Sequence, residues 1–68
     1  MKTVSGQKFV KLMQEHGWDL ARINGSHHIF TKPGETLRIS VPVHGNKELK
    51  KGLLLHLLKI SGMDESEL

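Results

Sequence analysis

The 68-residue sequence predicts a small α+β domain: a two-layer sandwich in the order α-β-β-β-α, with a three-stranded antiparallel sheet and both helices on one face. Three observations lead there. Apolar residues recur at helical spacing near both ends of the chain, at Phe9, Leu12 and Met13 and again at Leu49, Leu53, Leu57 and Ile60. Between them lie three short segments divided by turn signals, Asn24-Gly25 and Lys32-Pro33-Gly34-Glu35. A single antiparallel sheet must cover its apolar face, and two helices are what the chain has left to do so.

The first helix is expected over residues 5–16. Ser5 suits the N-cap, and Val4 with Phe9 can form a hydrophobic staple around it. Phe9, Leu12, Met13 and His16 share one face, and Gln7, Lys8, Lys11, Gln14 and Glu15 take the other. Gly17 provides the left-handed stop. His16 reads as an end cap of the apolar face or a partner of the helix dipole, not as a site.

Residues 18–23 suit a first strand, with Trp18 as a core anchor. Asn24-Gly25 turns the chain, His27–Thr31 forms the second strand, and the Pro33-Gly34 turn leads to a third over residues 36–41. There Leu37, Ile39 and Val41 alternate with Thr36, Arg38 and Ser40, and Pro42 ends the run. Asn46 is positioned to cap a second helix reaching Ile60, with Gly62 closing it. Its core stripe is Leu49, Leu53, Leu57 and Ile60, widened by Leu54 and Leu58, while Leu55 points outward. Gly52 inside this helix costs about 1 kcal/mol relative to Ala, which a close backbone approach would explain. The whole chain, 1–68, reads as one domain; Asp64 and Glu67 can cap a last turn, and residues 63–68 are expected to form a frayed acidic tail.

Composition narrows the function. All ten Lys and Arg precede residue 60, and three of the seven acids (Asp64, Glu65, Glu67) fall in the last five residues. Residues 1–62 thus carry ten basic and four acidic side chains, a balance that favours a polyanionic partner. The chain has no cysteine, which excludes disulfides and thiolate metal sites. The Met1–Ser5 start has no apolar core of signal-peptide length, and no run approaches the roughly 20 apolar residues of a membrane span. A soluble, cytoplasmic protein is expected.

The candidate chemistry centres on Gly25-Ser26-His27-His28-Ile29-Phe30. Strand neighbours point to opposite faces, so His27 and His28 cannot both look outward. Phe30 has more area to bury than Ile29, which directs His28 toward the helices and His27 toward solvent. A second constellation is Lys47, Lys50 and Lys51, expected on one side of the first turn of the second helix, where free N–H groups attract phosphate. Lys8, Lys11, Arg22 and Arg38 can extend that patch. For a metal, His44 with either doublet histidine gives two imidazoles and no carboxylate pair to complete the set; Asp19 and Glu35 are unforced, and no cofactor is expected.

Taken together, Gly25-Ser26-His27-His28-Ile29-Phe30, the run Val41-Pro42-Val43-His44-Gly45-Asn46-Lys47-Glu48-Leu49-Lys50-Lys51-Gly52 and the leucine-rich helix ending at Gly62 resemble the HicA toxins. These are small mRNA interferases of bacterial and archaeal toxin–antitoxin systems. The resemblance spans nearly the whole chain and implies the double-stranded-RNA-binding-domain fold. It also implies endoribonuclease activity on mRNA that depends on the histidine of the Gly-Ser-His motif. That histidine is His27 here, with His28 as the reserve choice, and Gly25, Ser26, Lys47, Lys50, Lys51, Lys8 and Lys11 form the expected RNA-binding set. A HicB-like antitoxin is the implied protein partner, in a toxin–antitoxin hetero-oligomer; a homo-oligomer is also compatible. Val43 departs from relatives that often place a basic side chain there.

The expected mechanism is metal-independent, with one imidazole as general acid or base and His44 holding the loop rather than moving protons. The alternative from another class is a non-catalytic RNA-binding module of the same fold. A third reading is a scaffold that binds a partner through Leu55 and the open sheet face.

Overall fold

Ser5 begins the fold as the sequence leads one to expect: its hydroxyl accepts from the Lys8 backbone N–H at 3.2 Å. In the computed structural model, which describes residues 3–68, this cap opens helix α1, Gly6–Glu15. Met1 and Lys2, the start of the segment read above as free of a signal sequence, lie outside the described residues. Val4 and Phe9, the staple pair, are both in the core. The helix ends in a double closure: the Gly17 N–H donates to Gln14 O, the Trp18 N–H to Met13 O, and Gly17 takes φ +90°.

Strand β1 (Asp19–Asn24) pairs antiparallel with β2 (His27–Thr31), and β2 with β3 (Ile39–Pro42), in the order β1-β2-β3. Helix α2, Lys51–Ser61, completes an α-β-β-β-α fold. Phe9, Met13, Trp18, Phe30, Ile39, Val41, Leu54 and Leu57 form the centre of a single core between the sheet and the helices. Trp18 is buried with Lys32 Nζ 5.6 Å from the ring centroid.

Four details differ from the sequence reading. β1 runs one residue later than expected, because Asn24 pairs with His27 and the two-residue turn is Gly25-Ser26. Only Gly25 has positive φ there, which suits a turn with glycine at its first central position. A bulge between Leu20 and Arg22 then shifts the register by one residue.

β3 starts at Ile39 rather than residue 36. Its last partner is Phe30, so the segment after the Pro33-Gly34 turn has no strand beside it, and Leu37 is exposed.

α2 starts at Lys51, not Asn46. Glu48 forms a bridge with Ser5, and the Leu49 N–H donates to Val4 O at 2.8 Å. That pairing holds residues 48–49 extended, which excludes a helix through them. Leu49 is therefore a core residue outside the helix. The helical stripe turns toward Leu54, Leu57, Leu58 and Ser61, leaving Leu53 and Ile60 half-buried. Leu55 is exposed, as expected.

Gly52 is the second residue of the helix, and a Cβ there would meet no atom within 4 Å, so no close approach explains it. Gly6 is the glycine that a close approach requires. A Cβ on it would overlap the carbonyl oxygen of Pro42 and lie 3.2 Å from Val43 Cα.

At the other end, Gly62 closes α2 at φ +76°, with the Met63 N–H donating to Leu58 O. Asp64 accepts from the Ser66 N–H to open a short 3-10 turn, Glu65–Glu67, and Glu67 Oε2 lies 2.8 Å from His16 Nε2. His16 thus sits at the C-terminal end of α1 facing a carboxylate from the tail. No helix among the described residues is long and apolar enough to cross a membrane.

Candidate active site

The site is built where the β1–β2 turn meets the end of β3. His27 opens β2 and stands opposite Pro42 on β3; His28 stands opposite Val41. Val41 is fully buried on the helix side, so alternation puts His28, Val41 and Phe30 on the covered face and His27 with Pro42 on the open one. Accordingly His27 is exposed and His28 half-buried. His28 Nδ1 is itself buried, with no hydrogen-bond partner among the described residues. The doublet is therefore two different environments one residue apart.

Antiparallel pairing continues one step past β3, since the Val43 N–H donates to Ser26 O at 2.7 Å. Val43 is half-buried against the core. The next residue, His44, is exposed and lies across from the Gly25-Ser26 turn. Its carbonyl accepts from the Lys47 N–H at 3.0 Å, closing a tight turn with Gly45 at φ +58°. Backbone contacts thus pin this loop at Ser26, at His44–Lys47 and at Val4–Leu49, and α1 presses on its first residue through Gly6.

The lysines do not share a helical turn. Lys47 belongs to the loop, Lys50 is the N-cap residue of α2, and Lys51 is its first helical residue; all three are exposed. A cleft of about 210 Å³ opens between Pro42, His44, Lys47 and Lys50, with Leu49 and Leu53 also lining it. Glu48 is its acidic member, and that carboxylate accepts from Thr3 Oγ1 at 3.0 Å.

The helix end beside this cleft has no side-chain cap and no acid in its first turn, so its free N–H groups stay available. Lys8 and Lys11 are exposed on α1, in the helix layer behind the sheet from His27. A wider depression of about 530 Å³ lies at the far end of α2 beside Leu55, Lys59 and Glu65, and no imidazole lines it. Among the described residues, no group of three or more His, Asp or Glu side chains is placed to hold a metal ion.

One family model matches the chain over residues 6–63, that of the HicA toxin of bacterial toxin–antitoxin systems. The chain belongs to the HicA toxin family. None of the curated proteins compared with it matches. The matched range takes in every element from α1 to the end of α2, and with them the doublet, the Pro42–His44 segment and the lysines. Membership of a toxin–antitoxin family also implies a cognate antitoxin for this HicA toxin.

Sequence reasoning named His27, His28, His44 and the lysines as candidates, and it placed the lysines on one helical turn, which the structure does not. It missed Gly6, whose only signal is its position directly after an N-cap, where many residues would serve.

Proposed function

We propose that this HicA toxin is a metal-independent endoribonuclease that cleaves mRNA with His27 as general acid or base. The observation that carries this reading is the exposed His27 ring. It stands across from Pro42, which borders a cleft flanked by Lys47, Lys50 and an uncapped helix end. RNA supplies its own nucleophile. Its 2′-oxygen attacks the adjacent phosphorus, the bond to the 5′-oxygen breaks, and a 2′,3′-cyclic phosphate and a 5′-hydroxyl result. One proton leaves the 2′-hydroxyl and one reaches the 5′-oxygen, and an imidazole handles such transfers near neutral pH. The expected help is about 10²–10⁴-fold, which suits a slow toxin.

Lys50 and Lys51 at the start of α2 oppose the helix dipole, and with Lys47 on the loop before it they favour a ligand with negative charge. The phosphate backbone is that ligand, and the cytoplasm is where the toxin would meet mRNA. A HicB-like antitoxin would hold it inactive by covering this face. His28 serves the reading less well, because its ring is directed to the covered side.

Two measurements test the proposal. Purified protein incubated with RNA in EDTA should yield fragments ending in cyclic phosphate; RNA that is bound and left intact would establish the non-catalytic module instead. Replacing Lys47, Lys50 and Lys51 together with Ala should weaken RNA binding. It should also flatten the salt dependence by about 2 in the slope of log K against log salt, at about 0.7 per phosphate contact on a single strand. An unchanged slope would remove these lysines from the interface.

A further inference from the structure

We propose that His44 is the second proton-transfer group of the site, so that His27 and His44 divide the acid and base roles across one phosphate. The inference rests on the nuclease reading above and adds a residue to it. Loop positioning does not account for His44. The loop is held by backbone bonds at Val43, Lys47 and Leu49, and the imidazole makes no hydrogen bond among the described residues. The ring is exposed and borders the cleft with Lys47 and Lys50.

The register places it well. His27 is opposite Pro42, and His44 follows two residues later on a segment still paired to Ser26 through Val43. Within a regular antiparallel pair, residues so related lie about 7–8 Å apart; His44 itself stands one residue past the last bond of the pairing, at Val43. An in-line displacement at phosphorus has the entering and leaving oxygens on opposite sides. Its acid and base must therefore be separated by roughly one phosphate, which adjacent residues on one strand cannot arrange. His27 and His28 point to opposite faces of the sheet, whereas His44 lies beyond β3, on the loop that borders the cleft. One imidazole takes the 2′-hydroxyl proton as the new O–P bond forms. The other, already protonated, gives its proton to the 5′-oxygen as that bond breaks, so the protons balance over the step.

The test uses His27→Gln and His44→Gln on two oligonucleotides, one ordinary and one with sulfur replacing the bridging 5′-oxygen at the cleaved bond. A thiolate leaves without being protonated, so loss of the general acid no longer matters on that substrate. Both variants should lose about 10²-fold or more on ordinary RNA with their melting temperatures unchanged, and one of the two alone should recover on the sulfur substrate. Full cleavage of ordinary RNA by His44→Gln would overturn the inference and leave the His27 reading standing. Full cleavage by His27→Gln would overturn both. Recovery of both variants, or of neither, would overturn the division of roles.

Discussion

His27→Ala should abolish detectable RNA cleavage, and the growth arrest that depends on it, without unfolding the protein. A rate loss of about 10²–10⁴-fold is expected from removing a general acid or base. The fold should tolerate the change, because the side chain is exposed on the open face, and surface substitutions of this kind stay within about 0.5 kcal/mol. Cleavage in EDTA and a thermal melt, measured on the same preparation, separate the two effects. His28→Ala is the control with the opposite signature. Its ring lies on the covered face beside Val41, so stability should fall before chemistry does. Cleavage that survives at His27→Ala and disappears at a still-folded His28→Ala would move the reacting imidazole one residue along the chain.

Gly6→Ala should lower stability by about 1–3 kcal/mol, the usual cost of forcing atoms into a packed place. For a domain of this size each kcal/mol moves the melting temperature by roughly 4–8 °C, so a drop near 10 °C is expected. The sign is informative. Alanine is the better helix former by up to about 1 kcal/mol, and without the Pro42 contact the substitution would be neutral or stabilising. The built Cβ, however, would overlap the Pro42 carbonyl and sit 3.2 Å from Val43 Cα, both backbone atoms that cannot rotate away. A melting temperature equal to or above that of the unaltered chain would mean that α1 can withdraw freely from the end of β3.

The fold was legible where local signals agree. Ser5, Gly17 and Gly62 each do what their residue type predicts at a helix end, and the Phe30 argument assigned the two faces of the doublet correctly. It was illegible where distant segments decide. Nothing near Asn46 announces that Ser5 will bridge to Glu48, yet that pairing delays α2 to Lys51 and spreads the lysines along a loop. The same holds for Leu37, whose alternation with Ile39 and Val41 is clear but whose neighbouring strand has already ended. The candidate residues were visible by type. Their arrangement depended on strand register, which a turn shifted by one residue was enough to alter.

The sheet has two rims, and each is blunted differently. β3 offers four residues and finishes on a proline, which has no N–H to give. β1 is longer, with every residue exposed and Ile23 among the barest apolar side chains in the protein. Such a border would recruit further copies into a growing fibril were its donors and acceptors evenly spaced. The displaced step around Ala21, with charged Asp19 and Arg22 on either side, breaks that spacing. One irregularity in a six-residue strand thus works against edge-to-edge pairing between copies of this chain.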